Sequence, residues 1–305
     1  MQLPIKKFIK ALMFFLRHYS RRLKRGRFPG VLVICYHGVR QDDLPAGSMP
    51  FEELHVRASE FEAHCRLLKE TCHPISAEDW RRALRGEKSL PARPVLVTFD
   101  DGYRSVYTNG LPILQKHGIP AVVFVCSEPV EQRQMFWYDG LARKAGDGVV
   151  EAAKQQGYDE WHRQRMEWLC PVDDDDPCAP LTITEVRALA EAPGIEVGGH
   201  TAIHQILSRA NAEQQSAELL RNRAMLESWI GRPVRAFAYP NGEADKDYTQ
   251  ETIQLVKELG FDLAFTTNNG FAVSTENPLE LPRFMMLAGI SAAELAHRIC
   301  YSWRK

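Results

Sequence analysis

Asp100 and Asp101 stand side by side directly after the apolar run Pro94–Phe99, and His200 and His204 lie four residues apart just after Ile195–Gly199. Two imidazoles and one carboxylate make a three-ligand set that leaves positions for water, the pattern of a hydrolytic divalent-metal site. Adjacent side chains at a strand end point in different directions, so one aspartate can serve the metal while its neighbour moves protons. A third strand end reads Phe237–Ala238–Tyr239–Pro240–Asn241–Gly242. Each feature alone also has a plain structural reading: Asp-Asp-Gly as a turn, His-x3-His as two loop histidines, Tyr-Pro-Asn-Gly as a strand stop. Three such strand ends alternating with helices read as one site.

The elements that must position these residues are legible in outline. Val31–Cys35, Pro94–Phe99, Ala121–Val125, Ile195–Gly199, Val234–Tyr239 and Leu263–Thr267 are short apolar runs of the kind that form buried parallel strands. Helical patterns over 59–71, 76–86, 211–230 and 247–259 alternate with them, Ser59 and Ser76 being placed as N-caps. On a helical turn, residues four apart share a face, which would bring His200 and His204 to one ion. Gly198 and Gly199 let the backbone approach a neighbour closely or turn tightly. The stretch 130–180, with Asp173–Asp176, breaks the rhythm and reads as a helical insertion. Its Phe136, Trp137, Tyr138, Trp161 and Trp168 fit either a sugar-stacking or membrane-facing wall or a satellite core.

At 305 residues, with 45% hydrophobic and 25% charged content, the chain has material for a large core and is neither disordered nor fibrous. A net charge of −1 argues against nucleic acid as a partner. The seven cysteines include no CxxC pair, which fits free thiols in a reducing compartment but leaves a pairing such as Cys170–Cys178 open.

Residues 1–28 form a separate basic segment. Up to residue 30 there are nine Lys/Arg and no acid, so the remaining 29 basic and 39 acidic residues leave the rest at −10. As one helix, Ile5, Phe8, Leu12, Phe15, Leu16, Tyr19 and Leu23 share a face opposite Lys6, Lys10, Arg17, Arg21 and Lys24, with Phe14 on the polar side. That suits a helix lying in an anionic membrane interface; the alternative is a helix packed on the protein's own core. Ala11–Leu16 is too short to span a bilayer. Lys10 interrupts the apolar stretch, and Arg17–Arg27 occupy the place of a cleavage site, against a secretory signal. The expectation is a cytoplasmic protein peripherally associated with the inner face of the cell membrane.

Thr98–Phe99–Asp100–Asp101–Gly102–Tyr103 resembles the first signature of the polysaccharide deacetylase family. His200–Thr201–Ala202–Ile203–His204 resembles the second, and Phe237–Gly242 a variant form of the third. The order and spacing hold from Val31 to about Phe284. The resemblance implies a distorted (β/α) barrel spanning 29–305, with Zn²⁺ or another divalent transition metal on Asp101, His200 and His204. It implies Asp100 as general base, the amide of Asn241 as oxyanion donor, and removal of an N-acetyl group from an amino sugar. Tyr103, Tyr239, Pro240 and Arg283 are expected against the substrate, with a structural role for Arg283 left open.

Two departures from the family stand out. The base-tuning arginine that many members place two residues before the proline is here Ala238, with Arg235 nearby. The late Leu-x-His signature has only Leu295–Ala296–His297, within a capped helical pattern from Ser291 to Arg298, so His37 at the first strand's end is the candidate general acid. The partner is read as an N-acetylated saccharide or glycolipid, lipid-linked or membrane-proximal, in a bacterial envelope glycan. Deformylation of an amino-sugar lipid and a catalytically silent glycan-binding barrel are the competing readings.

Overall fold

The computed structural model describes residues 3–302 other than 274 and 276. Ten strands occur among them: β1 (Leu32–Tyr36), β2 (Gly38–Arg40), β3 (His55–Arg57), β4 (His73–Pro74), β5 (Pro94–Phe99), β6 (Ala121–Val125), β7 (Ile195–Gly199), β8 (Ala236–Ala238), β9 (Leu263–Phe265) and β10 (Phe284–Met285). Eight form one sheet in the order β10-β1-β5-β6-β7-β8-β9, with β4 alongside the start of β5. Its ladders are parallel. β2 and β3 make a separate parallel pair.

The sheet curls until its edges meet. After β9 the chain returns along it, with the Leu281 amide donating to Ala264 O at 2.8 Å, the Thr266 amide to Leu281 O at 2.9 Å, and the Arg283 amide to Asn268 O at 2.9 Å. The same segment then enters β10, which pairs Phe284 with Ile34 and Met285 with Cys35 of β1. This irregular seam closes the distorted barrel that the sequence predicted.

The period of two along each strand divides the apolar residues between two layers. Val33, Leu96, Val122, Phe124, Leu263 and Phe265 pack together inside the barrel, with Trp80 against them. Ile34, Val97, Phe99, Val123, Val197 and Phe237 pack outward under the helices. Strands buried on both faces explain why the runs read as continuously hydrophobic.

Several boundaries differ from expectation. Ser76 caps Ala77–Leu84, and its side chain accepts from the Asp79 amide. Ser59 does not cap: the helix begins at Ala58 after Arg57, and the Ser59 hydroxyl instead donates to Asp42. The segment expected to be one N-terminal helix is two, Leu3–Phe15 and His18–Arg25, broken at Arg17 with φ 57°.

The insertion holds helices Trp137–Ala145, Gly148–Lys154 and Tyr158–Trp168. Phe136, Trp137 and Trp161 are buried in a second core with Trp168 against it, so these four make a satellite core and not an exposed wall. Gly140 is required there, because a Cβ would lie 2.0 Å from Trp168 O. Cys170 and Cys178 are separate thiols and form no disulfide with each other.

Candidate active site and metal centre

The elements that carry Asp100, Asp101, His200, Asn241 and His37 deliver them at the C-terminal mouth of the barrel, the rim where strand ends converge. β5 runs into Asp100 and Asp101, β7 into His200, β8 into Tyr239–Asn241 and β1 into His37. His204 returns to His200 through a turn, not the helical turn that the spacing suggested. Thr201 and His204 have φ of 60° and 55°. Asp101, Asn241 and Phe51 also have positive φ, so five of the eight such non-glycine residues described are gathered here. Each strained residue costs about 1–3 kcal/mol, and such strain concentrates at functional sites.

Asp101 Oδ1 lies 3.3 Å from His200 Nε2 and 3.5 Å from His204 Nε2. Ligand atoms of the three residues fit within 4.8 Å of one another, and all three side chains are buried. His200 Nδ1 donates to Ala238 O at 2.7 Å, which leaves the Nε2 lone pair facing the site. Asp101 Oδ1 and His200 Nε2 have no hydrogen-bond partner among the described residues. Buried polar atoms left this way are what a metal ion would satisfy, and an N,N,O donor set suits Zn²⁺ and neighbouring transition metals.

The charge states of His204 and Asp101 agree with that fit, whereas at His200 the Asp101 and Asp100 carboxylates outweigh burial and raise the imidazole above its ordinary value. Burial pulls His204 down to about 3, keeping its imidazole neutral and able to ligate. Burial raises the Asp101 carboxyl, but the adjacent His200 imidazole and the nearby His37 and His204 hold it below the usual carboxylate range.

Asp100 sits in a different environment. Arg283 Nη1 and Nη2 donate to its two oxygens, each at 2.7 Å. The guanidinium also donates to Thr266 O at 2.9 Å and Thr98 Oγ1 at 3.2 Å, beside the Phe124 and Phe265 rings. Burial raises the Asp100 pKa, and Arg283 and His200 outweigh it, so the carboxyl titrates below its ordinary value and is ionised at neutral pH. Arg283 thus supplies a buried guanidinium partner for Asp100 in a chain that has alanine at position 238. Arg235 does not: it is half-buried and pairs with Asp262 and Glu78.

A cavity of about 300 Å³ opens over the site, and His37, Asp100, Asp101, His200, His204 and Asn241 line it. His37 Nδ1 has no partner among the described residues. Asn241 accepts from Thr267 Oγ1 through its carbonyl, while its amide donates to no described residue. Tyr138, the one insertion aromatic in this cavity, lies edge-on to His204 at 4.9 Å.

Four expected substrate contacts are corrected. Arg283 is 1% exposed and spent on Asp100 from behind. Tyr103 is fully buried and donates to Asp139 at 2.8 Å. Tyr239 donates to Leu279 O and stacks on Tyr248 at 4.1 Å, and Pro240 is buried away from the cavity. Side chains alternate along a strand, so a residue within a signature can serve the core while its neighbour serves the site. His297 binds Tyr19 at 3.1 Å, within the terminal helices and outside the cavity.

Asn222 and Glu218 support the second motif and were not singled out from the sequence. Asn222 Oδ1 accepts from the His200 amide at 3.1 Å, while Nδ2 donates to Val125 O and Ser127 Oγ. A Cβ on Gly199 would lie 2.7 Å from that Oδ1, which is why glycine stands there. The available signal was position: Asn222 falls between Leu219 and Leu226 on the buried stripe of helix Ala212–Ile230.

Glu218 accepts from the Ala202 amide at 3.2 Å between the metal-ligand candidates. Burial and neighbouring Glu128 push its carboxyl up to about 7 from an ordinary 4.5, against Arg221 and Arg165. A raised carboxyl is protonated in the folded state while the unfolded chain ionises. Its stabilising contribution is therefore lost as pH rises from about 4.5 to about 7. Urea midpoints of Glu218→Gln should vary less than the native protein's across this window; an equal slope would reject the assignment.

The sequence model of the polysaccharide deacetylase family matches residues 87–264. The poly-β-1,6-N-acetyl-D-glucosamine N-deacetylase of Escherichia coli strain K12 is 26% identical over 298 residues, which cover 88% of this chain and 38% of that protein. This chain therefore spans well under half of that relative. The Streptococcus pyogenes deacetylase PplD, solved with acetate, superposes with a TM-score of 0.66 at 21% identity, covering 90% of this chain and 98% of that one. The structure of IcaB from Ammonifex degensii superposes with a TM-score of 0.61 at 22% identity, covering 88% and 97%.

Proposed function

The chain belongs to the polysaccharide deacetylase family, and on that premise we propose that it is a metal-dependent N-deacetylase hydrolysing the acetamido group of an amino sugar. One observation carries the reading. An ionised carboxylate, locked by a buried arginine, opens onto the same cavity as a buried two-histidine, one-aspartate set.

Asp101, His200 and His204 would hold the ion, Zn²⁺ by its donor set, which when bound supplies Lewis acidity to a water and a carbonyl. Asp100 accepts the proton of the attacking water as its oxygen bonds to the acetyl carbon. The free Asn241 amide donates to the oxyanion that develops on the carbonyl oxygen. His37 hands a proton to the nitrogen as the C–N bond breaks, and acetate and a free amine depart. A cavity of about 300 Å³ suits one acylated sugar residue at a time.

The E. coli relative acts on poly-β-1,6-N-acetyl-D-glucosamine by its name, and we propose N-acetylglucosamine in an envelope glycan as the unit recognised here. We further propose that the saccharide is lipid-linked or membrane-proximal, at the inner face of the cell membrane. The basic N-terminal segment supports the membrane, and cysteines without a CxxC pair or a Cys170–Cys178 bridge support a reducing compartment.

Metal analysis and acetate release from free, oligomeric and lipid-pyrophosphate-linked N-acetylglucosamine test this together. The native protein should carry one metal, release acetate from the lipid-linked substrate, and lose the metal in His200→Ala. A chain with no affinity for any divalent metal would end the proposal. Metal without acetate release from any substrate would replace the acetyl group with another acyl group, formyl first.

A further inference from the structure

The first N-terminal helix is held to the body by residues that lie off its nominal apolar face. Met13 and Phe14 pack on the core, with fully buried Tyr19 and Leu23. Tyr19 Oη donates to Met13 Sδ at 3.7 Å, and Lys10 pairs with Glu294 at 2.5 Å. Phe14, which spoils the amphipathic face on paper, is a docking residue. The part of the nominal apolar face up to Leu16 therefore turns outward: Ile5, Phe8, Leu12, Phe15 and Leu16, with neighbouring Ile9, are 46–82% exposed. Five other exposed large apolar side chains are scattered over the rest of the described chain.

Basic side chains follow this stripe in the chain. His18, Arg21, Arg22 and Arg25 line a shallow cleft of about 430 Å³ on the following helix. Of the nine Lys/Arg before residue 30, only Lys10 has a carboxylate partner among the described residues. A water-facing surface has no use for six large apolar side chains in one place. A two-fold contact between copies would set these unpaired cations against themselves. Apolar side chains entering an acyl boundary while adjacent arginines meet phosphate headgroups satisfy both features.

We propose that Leu3–Arg25 is a docking surface for an anionic lipid bilayer, Phe8, Leu12, Phe15 and Leu16 inserting while Arg21, Arg22 and Arg25 hold headgroup phosphates. This deepens the membrane-proximal part of the function proposed above and does not depend on its chemistry.

Cosedimentation of the full chain with phosphatidylcholine vesicles, with and without phosphatidylglycerol, tests it. The native protein should pellet with the anionic vesicles. Phe8→Ser with Phe15→Ser should lower the partition coefficient at least about tenfold. Arg21→Gln, Arg22→Gln and Arg25→Gln together should abolish the preference for phosphatidylglycerol. Acetate release from a soluble substrate should be unchanged in both variants, which keeps a failed docking surface distinct from a failed active site. A native chain that stays in the supernatant overturns the proposal. So does undiminished binding by both variants, or a dimer that the Phe8/Phe15 change dissociates while vesicle binding persists.

Discussion

Asp100→Asn should cut acetate release by about 10²- to 10⁴-fold, the usual contribution of a positioned general base, while metal content stays at the native level. The substitution keeps the shape and removes the proton-accepting charge. Asp100 makes no part of the three-ligand set, so the metal readout separates loss of the base from loss of the centre. The single change has a structural side effect, because Arg283 would be left with an unpaired buried charge. Breaking one side of such a pair costs about 3–5 kcal/mol. A companion variant, Asp100→Asn with Arg283→Met, should recover most of that stability and none of the activity. Activity returning with stability would show that Asp100 is a structural residue and not the base.

Arg283→Met alone should be the most damaging single change outside the residues that line the cavity. It leaves the Asp100 carboxylate buried without its cation, again a loss of about 3–5 kcal/mol. The pH dependence gives the loss its signature. In the native protein Arg283 holds Asp100 below its ordinary value, so that stability is present above the unfolded pKa and lost as pH falls through the folded one. Without Arg283, burial prevails and the Asp100 pKa rises. The stability deficit should then shrink on acidification, and the acidic limb of kcat/KM should move to higher pH. A uniform loss at every pH, with an unshifted limb, would reduce Arg283 to a packing residue.

Much of this was legible because the chemistry sits at strand ends. The apolar runs before Asp100 and His200 defined the strands, and parallel strands place their C-terminal ends on one rim. The same logic misassigned Tyr103, Tyr239 and Pro240, since a signature lists residues that face the core beside those that face the cavity. Arg283 was harder to place. Its partner is 183 residues away, and only closure of the barrel along an irregular seam brings them together. The N-terminal rotation was also hidden: periodicity identified an apolar face, but tertiary contacts by Phe14 and Lys10 decided which side the body would take.

The seam has a consequence for the order in which activity arises during synthesis. Asp100, Asp101, His200 and His204 all leave the ribosome before Arg283, and could be brought together while the barrel's last edge is still open. Until residues 278–285 dock between β9 and β1, Asp100 lacks the guanidinium that grips both its oxygens. A nascent chain arrested short of that segment would thus be expected to carry the three metal-ligand candidates beside a carboxylate that nothing yet holds in place. Translation of one late stretch would arm the catalyst.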